Sequence, residues 1–197
     1  EKAANELGIS AYDVLNTRSR EIPIGCEGLI INEYFQGNRT PWSDAKARGV
    51  FTGLSLGHTR EHMYRAIQEA VCYGVEASMR KLKDAGFEVK EFVGAGGATK
   101  SRDWMQMHSD VTGIPIVMTE VGDAVSLGSC ILAAAGSGIY DSVQEAADAM
   151  VHERERIEPN MDAHEEYKFY ADKYVEQYAL NQDHIHSVVD HVVDTRK

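Results

Sequence analysis

The sequence predicts an α/β fold in which short strands alternate with helices and one long helix closes the chain. Three observations carry this. Apolar residues recur at steps of three and four over residues 59–83. Two short apolar runs, 91–94 and 115–119, each lead through a turn into a helical stretch. From Pro159-Asn160 a last helical pattern runs to about residue 186, with Tyr167, Tyr170, Tyr174 and Tyr178 on one stripe.

Taken in order, residues 3–19 predict a helix. Ser10, just after Gly8, can cap a second start, and Asp13 is an imperfect acid end for a capping box. GLIINEYF (28–35) is rich in Ile, Tyr and Phe and predicts a strand. Residues 36–57 hold four glycines and one proline, which predicts loop with a short extended piece near Val50–Thr52. Thr59 caps the long periodic helix, whose apolar steps read Met63, Ala66, Ile67, Ala70, Val71, Gly74, Val75 and Ala77 or Ser78. Its small residues Ala66, Ala70 and Gly74 let a neighbour approach closely. Gly86 ends it.

Further helices are predicted over about 101–112, 124–135 and 142–151, with a strand over Pro115–Thr119. The tyrosine stripe reads as core or a docking face, because amphipathic helices ordinarily bury such a stripe.

Composition narrows the functional classes. The 197 residues carry 20 Lys+Arg against 31 Asp+Glu, a net charge of −11. That balance argues against non-specific binding to nucleic acid or an anionic membrane, which needs a basic face. The longest mostly apolar stretch, Ser129–Ala135, is far short of the roughly 20 residues of a membrane span. No signal-peptide pattern opens the sequence. Cys26, Cys72 and Cys130 are an odd number without a CxxC pair, which argues against a disulfide framework or a thiolate zinc site. A reducing, cytoplasmic setting is the expectation. The sequence begins at Glu1 rather than Met, so a piece of a longer protein is also expected.

Four clusters could carry chemistry. His58-Thr59-Arg60-Glu61-His62 matches the H-x-x-E-H pattern of a zinc metalloprotease family, with histidines four apart and Glu61 as base. Against it, His58 follows Gly57 at or before the cap, so a shared helix face is not assured. No downstream acidic ligand singles itself out.

Gly94-Ala95-Gly96-Gly97-Ala98-Thr99-Lys100-Ser101 joins a strand to a helix. It is neither a phosphate loop nor a dinucleotide fingerprint, because Thr99 stands where either pattern breaks. Two readings stay open here. One is a tight strand–helix turn with close packing. In the other, a backbone freed of side chains accepts a flat ring or a phosphate beside a helix N-terminus.

Glu120-Val121-Gly122-Asp123 opens a small-residue helix, where an acid is ordinarily a cap and less commonly a metal ligand. His184, His186 and His191 lie on a polar helix end and read as surface histidines.

The order and spacing of four segments resemble the C-terminal half of the FGGY carbohydrate kinases, in the actin-like ATPase superfamily. GNRTPWSDAKARG (37–49) resembles the family's G-E-R-x-P-x-x-D-x-x-A-R-G block, with Asn38 in place of the acid. GVFTGLSLGHTREHMYRAIQE (49–69) is similar to its second signature, with Gln68 where a hydrophobic residue is usual and a surface position is expected. VGAGGATKSRDWMQMHSDVTGIPI (93–116) looks like the adenosine-binding element, and TEVGDAVSLGSCILAAAGSGIY (119–140) like the element beside the hinge. The block YFQGNRTPW and the long helical tail look most like pentulose kinases of the ribulokinase and xylulokinase type.

The resemblance implies a ribonuclease H-like, actin-like ATPase domain, specifically the C-terminal lobe lacking its first strands. It implies three segments: 1–27 as helical linker, 28–151 as the ATPase lobe, and 152–197 as its helical extension. It implies ATP and Mg²⁺, and transfer of the γ-phosphate to a sugar hydroxyl. The sugar pocket and catalytic aspartate belong to an N-terminal lobe outside this sequence, so no catalytic residue and no metal ligand is assigned here. Adenosine contacts carry over to Gly97 and Ser101, with Gly96 and Ala98 shaping the shelf. Lys100 carries no role. The implied partners are nucleotide and sugar, with no nucleic acid and no membrane, and a homodimer can form through strand edges left unpaired. The alternatives are a non-enzymatic nucleotide-binding or interaction module on the same fold and the zinc hydrolase.

Overall fold

The computed structural model describes residues 8–195. In chain order the elements are α1 (Ala11–Ser19), β1 (Ile30–Asn32), β2 (Val50–Thr52), α2 (Arg60–Asp84), β3 (Phe92–Gly94), α3 (Arg102–Thr112), β4 (Ile116–Thr119), α4 (Ala124–Gly136), α5 (Val143–Met150), β5 (Glu153–Ile157) and α6 (Met161–Thr195). They divide into two compact units, one of residues up to 87 and from 162 on, the other of residues 88–161.

In the first unit β1 and β2 form an antiparallel pair, with Ile31 opposite Phe51. The Ser10 capping box is complete: Ser10 Oγ accepts the Asp13 N–H at 3.1 Å, and Asp13 Oδ2 accepts the Ser10 N–H at 3.2 Å. The helix therefore begins at Ala11, and residues 3–7 of the predicted helix lie outside the described residues.

Thr59 caps α2 as expected, and His62 closes the box by accepting the Thr59 N–H on Nδ1. The buried face of α2 is turned from the one the periodicity suggests. Ala66, Ala70, Tyr73 and Ala77 are buried, Ile67 is exposed, and Gln68 and Glu69 go inside. Polar residues can occupy that face because the core answers them. Glu69 accepts from Arg65 Nε at 2.9 Å, Tyr73 hydroxyl at 3.1 Å and Gly25 N–H at 3.1 Å.

The tyrosine stripe of α6 is core. Tyr167, Tyr174 and Tyr178 are buried, and Tyr170 packs where a Cβ on Gly25 would lie 2.0 Å from its ring. Tyr34 meets Tyr174 and Tyr178 edge to face at 5.9 and 5.5 Å, an arrangement favoured by the ring quadrupoles.

In the second unit the sheet order is β3-β4-β5, with β3 parallel and β5 antiparallel to β4. Its core is Met105, Ile116, Met118 and Ile157, with Phe92 and Ala98 packed against it. α3 lies over this cluster, and Ser109 Oγ donates to the carbonyl oxygens of Ile114 at 2.9 Å and Ile157 at 3.3 Å. Gly113 ends α3 in the left-handed region at φ 68°.

The last helix begins at Met161, close to the Pro159-Asn160 start that the sequence predicts, and β5, for which the sequence gives no signal, precedes it. Its sequence, ERERI, has a single buried apolar residue, Ile157. Two of the other side chains hold ion pairs instead: Arg156 with Glu91 and Glu158, and Glu155 with Arg102.

Candidate functional site

The site is built on the C-terminal ends of the parallel strands β3 and β4. Loops at that end of an α/β sheet are where ligands ordinarily bind. Each glycine after β3 has its own physical role.

A Cβ on Gly94 would lie 2.9 Å from Met118 Sδ and 3.4 Å from Ile116 Cγ2, so β3 packs on β4 closely enough that a larger residue there would displace the Met118 side chain. Gly96 sits at φ 81°, ψ −163°, a region nearly closed to residues with a Cβ. Gly97 meets neither condition. Nothing lies within 4 Å of a Cβ placed there, and its φ is outside the left-handed range. The two open readings of this turn thus divide between residues: Gly94 packs, Gly96 turns, and Gly97 leaves exposed backbone with no structural need for glycine.

The turn is held from several sides. Thr99 Oγ1 and N–H both donate to the Gly96 carbonyl, at 2.6 and 3.2 Å. A 3-10 turn spans Gly97–Lys100, and the Ser101 N–H donates to Ala98 O at 3.1 Å. Ser101 is the N-cap of α3 and accepts the Trp104 N–H on Oγ at 3.3 Å. Gly96, Gly97, Ala98 and Ser101 therefore lie on one short arc between β3 and α3. The α3 dipole is directed so that its positive end faces this arc. Lys100 is exposed there.

Gly122, which the sequence places only in the capping segment before α4, also takes part in the shelf. The Gly96 N–H donates to Gly122 O at 3.1 Å, which ties the loop after β4 to the shelf. The signal was available, since Gly122 follows the strand parallel to β3. Asp123, next to it, acts as a cap: its carboxylate accepts the Ser126 N–H at 3.1 Å and hydroxyl at 2.8 Å. Those donors hold its pKa below the usual range.

The histidine motif is put to other use. His58 and His62 rings do meet, edge to face at 5.3 Å. Yet His58 Nδ1 accepts the Ser55 N–H at 2.8 Å, and Nε2 lies 3.1 Å from Cys26 O. His62 Nδ1 serves the cap, and its Nε2 is 3.4 Å from Glu27. Glu61 is engaged by Arg60 at 2.8 Å and Arg18 at 3.6 Å, and Arg60 holds its carboxyl down to about 2. A carboxylate held so far down by arginine is a poor base.

His186 departs from the surface reading, because its Nε2 lies 2.7 Å from Asp44 Oδ2. Tyr178 also donates to that oxygen, at 2.9 Å. Asp44 is thus a bracket between the 37–49 loop and α6. Among the described residues, no group of three or more His, Cys, Asp or Glu is placed to hold a metal ion. No helix of the described chain is long and apolar enough to cross a membrane.

Residues 2–137 match the model of the FGGY family of carbohydrate kinases, C-terminal domain. The chain is 33% identical over 162 residues to xylulose kinase of Bacillus subtilis (strain 168), covering 82% of this chain and 32% of that protein. It is 36% identical over 154 residues to ribulokinase of Bacillus licheniformis, covering 76% of this chain and 28% of that protein. Among solved structures, xylulose kinase from Rhodospirillum rubrum superposes with a TM-score of 0.77 at 32% identity, over 89% of this chain and 35% of that one. The chain thus spans about a third of the length of the curated xylulose kinases it matches.

Proposed function

Because this chain belongs to the FGGY family of carbohydrate kinases, with the α/β, actin-like ATPase fold of that family, we propose that it is the nucleotide-holding lobe of an ATP-dependent sugar kinase. The single observation that carries this reading is Gly97. It is an exposed glycine required neither by its backbone angles nor by its neighbours, on a strand–helix shelf capped by Ser101. A glycine kept there is accounted for by the close approach of a flat ring to the backbone.

In this proposal Gly97 and Ser101 contact adenosine, while Gly96 and Ala98 shape the shelf. Lys100 has no part in the chemistry. The phosphates extend away from the shelf, and no residue of this chain is assigned to Mg²⁺, which is proposed to travel with them. The sugar, a pentulose as for the xylulose kinase and ribulokinase relatives, and the catalytic base are proposed to belong to a further lobe. Phosphoryl transfer depends mostly on in-line positioning and charge neutralisation. A lobe that holds adenosine supplies part of the positioning, and closure on a second lobe supplies the rest. Turnover is therefore not expected from this chain alone. The remaining partner and setting proposals are a homodimer through unpaired strand edges and a cytoplasmic location.

The test is an amide-shift titration of the 197-residue chain with ADP, AMP and tripolyphosphate in parallel. ADP and AMP are expected to shift the same amides over residues 94–101 in a saturable way, and tripolyphosphate is not. Shifts confined to other residues, or the same shifts from tripolyphosphate, would count against adenosine recognition here.

A further inference from the structure

Glu33 follows β1 directly and is partly buried. Both its carboxylate oxygens face the Tyr174 hydroxyl, at 3.1 and 3.0 Å. Tyr174, on α6, is fully buried, and its carbonyl oxygen accepts the Asn32 side-chain N–H at 3.0 Å. From α2, Gly74 is turned to the same place. A Cβ on Gly74 would lie 2.8 Å from Glu33 Oε1 and 3.1 Å from the Tyr174 hydroxyl. One carboxyl therefore sits where a strand end and two helices meet, in a space that a side chain at position 74 would close.

What surrounds it is uncharged. Among the described residues no cation lies within ion-pair distance of Glu33, and the titratable groups that bear on it are the phenols of Tyr174 and Tyr34. The cations on these stretches of α2 and α6 are engaged elsewhere. Arg80 holds Glu76 and Asp172, Lys81 lies over the Trp42 ring, and Lys173 pairs with Glu176. Of the other ionisable groups on the buried face of α2, Glu69 accepts from both the Tyr73 hydroxyl and Arg65 Nε. The charged form of Glu33 is thus answered by its own backbone N–H and one phenol, with no cation. Burial pushes its carboxyl up to about 7, more than the backbone N–H and the Tyr174 bond together draw it down.

We infer that Glu33, Gly74 and Tyr174 form a proton-linked latch. With its proton the carboxyl is neutral, and α2 and α6 close on it. When the proton leaves to solvent, the charge left behind draws in water, and the two helices loosen around Gly74 and Tyr174. This inference does not depend on the kinase reading.

The sign follows from linkage. A group whose folded pKa lies above its ordinary 4.5 contributes stability that is full below that value and lost as pH rises through about 7. The experiment is a carboxyl-carbon NMR titration of the 197-residue chain, with amide exchange of α6 followed at pH 5.5 and 8.5 after correction for intrinsic rates. A Glu33 midpoint near 7 is expected, with protection around Tyr174 about thirtyfold lower at the higher pH. In Glu33→Gln that difference should vanish. In Tyr174→Phe, which removes the donor to the charged form, the Glu33 midpoint should move further up. A Glu33 midpoint near 4.5 in the unmodified chain overturns the latch, and so does an unchanged pH response in Glu33→Gln. The titration of the unmodified chain decides the matter even if a variant fails to fold.

Discussion

The two compact units solve the problem of a polar interior in opposite ways. The first buries tyrosines and sets two carboxylates among them: Glu69, answered by Arg65, Tyr73 and the Gly25 N–H, and the partly buried Glu33, answered by its own backbone N–H and one phenol without a cation. The second has a small core of methionine and isoleucine, buries Ser109 and Asp110 on hydrogen bonds that include backbone groups, and sets ion pairs along the surface of β5. The difference teaches where each unit tolerates change. The first depends on side chains paired across long stretches of sequence. The second depends on local turns, with Gly94 packed on the side chains of β4 and Gly96 at a positive φ, and the proposed shelf lies on that turn.

The largest effect that would sharpen this contrast is in the first unit. Arg65→Ala leaves Glu69 buried without its cation, and urea unfolding should show a loss of about 3–5 kcal/mol. An effect below about 1 kcal/mol would mean that a phenol and a backbone donor suffice for Glu69, as they must for Glu33. Next comes Gly94→Ala in the second unit. Its Cβ would press on Met118 Sδ at 2.9 Å, and overpacking of this kind costs about 1–3 kcal/mol. The low end is expected because a methionine side chain can give way. The loss should be read by amide exchange in β3 and β4, with the exchange of α6 unchanged. A smaller effect is expected from Ser101→Ala, which removes the α3 cap and should cost about 1 kcal/mol. An equal loss at α2 would show that the units do not respond separately.

The contrast also explains what could be read from the sequence. The shelf was legible because its causes are local: glycine where a backbone must turn or pack, and Ser101 as a cap one residue before its helix. The same holds for Thr59 and Ser10. The tyrosine stripe was legible because its period is that of a helix. What stayed hidden depends on distant partners. Gln68 and Glu69 look like surface residues until Gly25 and Tyr73 meet Glu69 in the folded chain. Glu33 gives no sign of burial, because the tyrosine that receives it lies 141 residues away. β5 was hidden for another reason: alternating Glu and Arg resemble a solvated segment, and the strand is held by its ladder to β4 rather than by an apolar face. Gly122 joined the shelf through one hydrogen bond to Gly96 that depends on β3 and β4 being neighbours.

The central claim is that an open glycine in the second unit is reserved for a nucleotide ring. Gly97→Val tests it most directly, because nothing lies within 4 Å of a Cβ at that position. Surface changes of this kind ordinarily move stability by less than about 0.5 kcal/mol. The measurement is ADP binding by calorimetry on the unmodified chain and on Gly97→Val, with urea unfolding of both as the control for folding. The account predicts saturable binding that the variant abolishes at unchanged stability. Binding of ADP that survives Gly97→Val in a folded variant would contradict it.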